Sequence, residues 1–262
     1  QANGGMLTPK DFVVNRLQRK IRNGENYPYE KMSFTEMSSG VLEKPYKKNY
    51  NQVYQRGAVL GMLLDIEIIR LTEGKKRLID VMYELIDDYG PTKPMDEDQV
   101  FDLFTEKVHP DLRAFFTKYI EGREALPYSE ILQHVGVIYE TDTTLSLPRH
   151  PINDNGGKYT NIALGGKRTI KKISKKDEIG FKAGDKVDRG IYLDTYFDDF
   201  GNPLPEGMQV TFEVERDTMN ITLSDIISYK ESEVTHQLRI MKEMTAEQSK
   251  YFNIWLGFED PV

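Results

Sequence analysis

The stretch Val53-Tyr54-Gln55-Arg56-Gly57-Ala58-Val59-Leu60-Gly61-Met62-Leu63-Leu64-Asp65 decides how the first half of the chain is read. Residues three and four apart are neighbours on a helix, so Tyr54, Gly57, Ala58, Gly61 and Leu64 share one face. The spacing predicts a long helix from about Tyr50 to Thr72, stopped by Gly74. Two glycines inside a helix cost about 1 kcal/mol each relative to alanine. That cost implies a second backbone packed close against them. On spacing alone, the face reads as a tight helix–helix crossing with Tyr54 as an ordinary core aromatic.

The pattern around this helix is helical on both sides. Thr8-Pro9 caps a first helix that places Phe12, Val13, Leu17 and Ile21 on one face, ended by Asn23-Gly24. Ser33-Phe34-Thr35-Glu36 is a capping box. After Gly74, helices are expected over Arg77–Tyr89 with a stop at Gly90-Pro91, after Asp96, after Pro110 and after Pro127. Near residue 136 the period changes to that of strands and turns. Strands are expected over Gly136–Glu140, Thr160–Leu164, Thr169–Ile173, Lys186–Leu193, Met208–Glu215 and Asn220–Ser224, with a further one inside Tyr229–Met244. Turn signals are Asn155-Gly156-Gly157, Gly165-Gly166 and Gly201-Asn202-Pro203. Thr245-Ala246-Glu247-Gln248 caps a last helix carrying Tyr251, Phe252, Ile254 and Trp255, an aromatic stripe read as core. The expected fold is α+β and multidomain. A helical array over 1–135 is followed by a β-rich domain over 136–244 and a C-terminal helix and tail over 245–262.

Composition narrows the function. The chain has 262 residues, of which 39% are hydrophobic and 29% charged, enough to bury a core. The net charge is −7 and neither half is basic, so a nucleic-acid partner is not expected. The longest apolar run, Ala58 to Leu64, falls far short of the roughly 20 residues of a membrane helix. Cysteine is absent, which removes thiolate nucleophiles and cysteine-held metals. The four histidines, at 109, 134, 150 and 236, do not form H-E-x-x-H. Neither G-x-S-x-G nor G-x-x-x-x-G-K-[ST] occurs. His109 before Pro110 reads as a helix-start surface residue. Gln1-Ala2-Asn3-Gly4-Gly5 has neither an initiator Met nor a leader pattern, and reads as the cut end of a longer protein.

Val53-Tyr54-Gln55-Arg56-Gly57-Ala58 resembles the Y-x-[KR]-G-[A] signature of gluzincin-type zinc aminopeptidases. Ser33 to Val137 as a whole is similar to the C-terminal part of the catalytic domain in the glycyl aminopeptidase family. The pieces that carry this are Ser33 to Ser38, Tyr54 to Arg70, Gly74 to Met82, Asp111 to Phe116, Tyr119 to Gly122 and Leu126-Pro127. The resemblance implies that Tyr54 is the phenol that hydrogen-bonds the oxyanion beside the metal. It implies zinc as the cofactor of the full-length protein, held by two His and a Glu in an earlier segment that this chain lacks. It also implies hydrolysis of small N-terminal residues such as Gly or Ala from peptides, and weakly an exported bacterial protein. This chain alone is then expected to bind no metal and to be inactive.

Two later segments resemble bacterial PDZ domains. Glu178 to Val187 is similar to the A-G-L-x-x-G-D-x-I stretch, and Pro205 to Arg216 to the P-G-x-x-V-x-F-x-V-x-R strand. Such domains bind a peptide as an added edge strand, with a glycine loop holding its carboxylate. Gly156, Gly157, Lys158 and Tyr159, followed by Thr160–Leu164, are the candidate loop and strand. A plain interdomain loop is the other reading of these residues. Only Asp194 to Phe200 is available for the helix that walls the groove, which is short for that purpose. The alternative function is therefore a non-catalytic PDZ-like peptide-binding or scaffolding protein.

Overall fold

The computed structural model describes residues 7–90, 92–159, 167–174 and 177–258. The expected strand Thr160–Leu164, the Gly165-Gly166 turn, Pro91 and the Lys175-Lys176 pair lie outside the described residues. The described chain consists of helices and antiparallel sheets, an α+β fold. It divides into two units: unit 1 is 1–141 with 235–262, and unit 2 is 142–234.

Unit 1 begins with a π-helical segment, Asp11–Leu17, that runs on as α1 (Gln18–Gly24). The Thr8 hydroxyl accepts the Asp11 N–H at 3.1 Å, as the Thr-Pro start predicts. Helix α2 (Phe34–Ser39) carries the full capping box. Ser33 Oγ accepts the Glu36 N–H, and Glu36 Oε2 accepts the Ser33 N–H at 2.6 Å. Helix α3 (Gln52–Leu71) is the long predicted helix, with Val59, Leu60, Leu63, Ile66, Ile68 and Ile69 buried. Helix α4 (Leu78–Asp88) starts on a residue of α3. Buried Asp65 accepts from the Leu78 N–H at 2.7 Å and from Arg77 Nη2 at 2.8 Å. Three shorter helices follow: α5 (Val100–Val108), α6 (Leu112–Phe115), which continues as a π segment Phe116–Ile120, and α7 (Tyr128–Leu132). Strand β1 (Val137–Glu140) then leaves the helices.

Unit 2 is an insertion between β1 and the last strand of unit 1. It contains β2 (Thr143–Pro148), β3 (Lys158–Tyr159), β4 (Lys167–Lys172), β5 (Lys186–Asp188), α8 (Ile191–Tyr196), β6 (Gln209–Arg216), β7 (Met219–Ile226) and β8 (Tyr229–Val234). One sheet has the order β3-β4-β5-β6-β7, and β2 pairs separately with β8. Its core holds Ile152, Ile170, Phe181, Val187, Phe212 and Val214, with a second cluster around Tyr196, Phe197, Val210 and Ile227. The chain returns to unit 1 through β9 (Gln237–Ile240), which pairs with β1 from Val137↔Ile240 to Glu140↔Gln237. Helix α9 (Ala246–Leu256) follows, with Thr245 as its cap. Trp255 is buried, its ring edge-on to Phe12 at 5.6 Å, so the aromatic stripe is core.

These boundaries differ from the expected 1–135, 136–244 and 245–262. Residues 136–141 and 235–244 group with the helices, because β1 and β9 find each other across about a hundred residues of chain. Helix α9 belongs to the same unit. Local differences have simple causes. Lys186–Leu193 is not one strand: it breaks at Arg189-Gly190 into β5 and α8. The predicted wall helix is Ile191–Tyr196 rather than Asp194–Phe200. Tyr229–Met244 holds two strands, separated where His236 takes a positive φ of 56°.

The close backbone approach predicted for α3 occurs elsewhere on the helix. A methyl group on Gly61 would meet nothing within 4 Å, and one on Gly57 would meet the Phe34 ring at 3.2 Å. The glycine that lets two helices close on each other is Gly24 of α1. A methyl there would sit 3.3 Å from the Val59 side chain and 3.5 Å from the Arg56 Cα.

Candidate functional site

The signature stretch of α3 separates into one exposed residue and buried supports. Tyr54 is 58% exposed, in the first turns of the helix, which excludes the core-aromatic reading. Its hydroxyl lies 3.3 Å from that of Tyr50, one turn earlier, and the rings meet edge to face at 5.8 Å. The shared hydrogen bond raises the pKa of Tyr50. Lys20 of α1 donates to the Tyr54 carbonyl at 3.2 Å and to Gln55 Oε1 at 3.1 Å, tying this end of α3 to α1.

Arg56, two residues on, is 1% exposed. Its guanidinium pairs with Glu25, and Glu25 also accepts the Tyr128 hydroxyl. The same guanidinium lies over the Tyr27 and Tyr29 rings at 5.8 and 5.3 Å. A planar, always-charged group satisfies several partners at once here, as a lysine ammonium does not. Burial raises the pKa of Tyr27 to about 12, against the pull of Arg56. Burial also raises Tyr128, reinforced by the Glu25 charge. Tyr128 stacks on Tyr139 at 5.0 Å, and Tyr139 shares a 2.6 Å hydrogen bond with His236 Nδ1. The result is a buried polar cluster that fixes the helix carrying Tyr54. Further along α3, Gly61 and Met62 open onto a cleft of about 470 Å³ shared with Ile79, Met82 and Trp255.

An exposed phenol at a fixed helix end can donate one hydrogen bond to an anionic oxygen. Among the described residues, no three His, Asp or Glu side chains are gathered as a metal ion requires. The described residues therefore do not by themselves fit zinc. Tyr50, Glu25 and Lys20 were not predicted. The one sequence signal available was the position of Tyr50, four residues before Tyr54.

Gly156, Gly157, Lys158 and Tyr159 lie in unit 2, apart from Tyr54 in the division of the chain. The Gly156 N–H donates to the Asn153 carbonyl at 3.2 Å and the Gly157 N–H to the Ile152 carbonyl at 2.8 Å. Both donors close the turn that precedes β3, so neither is left to hold a carboxylate. Gly157 is needed for another reason: a methyl there would fall 2.7 Å from the Ile152 carbonyl. Lys158 and Tyr159 form β3 and pair with β4. Tyr159 packs on the core, with Arg168 over its ring at 5.4 Å, and burial raises its pKa to about 12. His109 is a helix-start residue, with its Nδ1 accepting the Asp111 N–H at 3.2 Å. No described helix is long and apolar enough to cross a membrane.

No protein-family profile and no curated protein matches the chain. Among solved structures it is similar to the crystal structure of an aminopeptidase N family protein from Idiomarina loihiensis, at 19% identity and a TM-score of 0.40. The match covers 82% of this chain and spans 39% of that one. At this level the likeness stands beside the motif reading without adding to it.

Proposed function

We propose that this chain is the helical, phenol-bearing part of a zinc aminopeptidase of the glycyl aminopeptidase type, joined to a PDZ-like module. In this reading Tyr54 would donate its hydroxyl to the oxygen of the scissile carbonyl as it gains negative charge. Zinc, held by residues other than those described, would supply the Lewis acid. The substrates are peptides with small N-terminal residues, Gly or Ala.

The observation that carries the reading is the split within Tyr54-Gln55-Arg56-Gly57. Arg56 is buried in an ion pair and Gly57 is packed under Phe34, while the phenol alone points out. Burying a tyrosine on this face would have stabilised the helix by roughly 1.5–3 kcal/mol. Its exposure beside rigid supports is what a positioned donor needs. Ile79, Met82, Tyr83 and Ile86 on α4 are exposed as well, as on a face that packs against a further segment.

The test is to read the source DNA upstream of the Gln1 codon. An open frame running back through H-E-x-x-H and a downstream Glu supports the proposal. A start codon directly before Gln1, with no such motif, overturns it.

A further inference from the structure

Helix α4 is apolar over more of its circumference than the fold covers. Val81 and Leu85 are buried, whereas Ile79, Met82, Tyr83 and Ile86 are 49, 41, 61 and 62% exposed. The spacing i, i+3, i+4, i+7 sets these four side chains in one stripe along the helix. Ile79 and Met82 also line the cleft of about 470 Å³, together with Phe12, Gly61, Met62 and Trp255. The charged residues of that lining, Asp65 and Arg77, are already paired with each other at 2.8 Å. Gly61 adds no side chain to the cleft, and a methyl group on it would meet nothing within 4 Å. Stripe and cleft together form one apolar groove along α4.

The border of the stripe is acidic. Asp80 and Asp87 stand three residues before Tyr83 and four after it, and so lie beside it on the helix surface. Both are exposed. Asp80 accepts the Arg77 N–H at 2.8 Å, and neither carboxylate is in an ion pair among the described residues. The other acids of the helix, Glu84 and Asp88, are paired with Lys76 and Lys107. The unpaired charge of α4 is therefore the part that borders the stripe. These features select an occupant. A helix surface offers no backbone groups to pair with an extended chain, but it takes the side-chain ridge of a second helix. A second copy seated by this face would bring its own Asp80 and Asp87 and no matching cation, on a chain of net charge −7. An anionic lipid surface would meet the same repulsion.

We propose that α4 docks an amphipathic helix whose apolar stripe fills the groove and whose Lys or Arg residues meet Asp80 and Asp87. The apolar contact supplies affinity, and the two carboxylates supply the preference for a basic border. In the peptidase reading this helix is the further segment that packs on α4, and the inference rests on that reading only for where the helix comes from. It needs no role for Tyr54 and no metal.

The test is titration of the full chain with fluorescent peptides of about 15 residues, long enough to form a helix. The first repeats Leu at i, i+3, i+4 and i+7 with Lys elsewhere. The second has Glu in place of Lys, and the third has the composition of the first with the Leu positions scrambled. The first is expected to bind about tenfold or more tightly than either control. Ile86→Lys and Tyr83→Lys, both on exposed side chains, weaken it by a similar factor while the thermal unfolding midpoint stays in place. Asp87→Lys weakens it as well and narrows the gap to the Glu peptide. No binding, equal binding of the striped and scrambled peptides, binding untouched by Ile86→Lys and Tyr83→Lys, or a dimer of the chain that Ile86→Lys abolishes would each overturn the proposal. The upstream reading frame decides the peptidase reading separately, so the failure of one is distinguished from the failure of the other.

Discussion

Gly24 of α1 rests against the backbone of Arg56 in α3: a methyl group at Gly24 would lie 3.5 Å from the Arg56 Cα. The same Arg56 reaches Glu25, the residue that follows α1. One residue of α3 is thus held through its backbone and through its side chain, two positions from Tyr54. The exposed phenol is set by a contact made on the opposite face of its helix.

Alanine substitutions at the glycines separate crossing from propensity. Gly24→Ala must push back Val59 and the α3 backbone, and is expected to cost about 1–3 kcal/mol. Gly61→Ala enters open space inside a helix and is expected to stabilise by roughly 0.5–1 kcal/mol. Thermal unfolding of the two variants, one midpoint falling and the other rising, checks the assignment of the close approach.

Breaking the buried pair should be severe. Arg56→Met leaves the Glu25 carboxylate without its cation and is expected to cost about 3–5 kcal/mol in urea unfolding. Adding Glu25→Gln should recover part of that loss, because the uncompensated charge is then gone. A double variant no better than the single one would mean that the stacking on Tyr27 and Tyr29, rather than the ion pair, sets the cost.

Tyr54→Phe removes one exposed hydroxyl that meets only Tyr50 among the described residues. Stability is expected to change by less than about 0.5 kcal/mol. If the proposed peptidase reading holds, a longer form carrying a zinc site should lose on the order of 10²–10³ in kcat with little change in KM. Tyr50→Phe serves as the companion measurement, since it leaves the Tyr54 hydroxyl in place.

Unit 2 should lose stability in mild acid. His150 is half-buried and stacked on Tyr192, and its Nδ1 accepts the N–H groups of Ile152 and Asn153 at 3.2 and 3.1 Å. Burial lowers its pKa from 6.5 to about 4, outweighing the opposing pull of Asp154. Below pH 6.5 the unfolded chain takes up a proton that the folded chain refuses. Stability is therefore full above about 6.5 and falls as the pH drops to about 4, by roughly 3 kcal/mol. His150→Asn keeps an acceptor for the turn and removes the titration. Its unfolding midpoint should vary less between pH 4 and 7 than that of the parent chain.

The amino-acid sequence by itself determined the local elements. Ser33 and Thr245 announce their capping boxes, Thr8-Pro9 its helix start, and the apolar period the long α3, because each depends on residues three or four apart. It also marked Tyr54, through the Y-x-[KR]-G spacing. Only the tertiary structure decided which way that residue faces. Periodicity says that Tyr54, Gly57 and Gly61 share a side, and nothing about whether that side meets the core. Arg56 took the inward position because its partner Glu25 sits 31 residues earlier, just past the end of α1. The unit boundaries were hidden for the same reason: β1 and β9 pair across the whole of unit 2. The glycine turn before β3 looked like an anion loop, and its donors proved to be taken by Ile152 and Asn153. Local preferences are written in neighbouring residues, whereas the direction of a face and the fate of a backbone N–H depend on which distant segment arrives there.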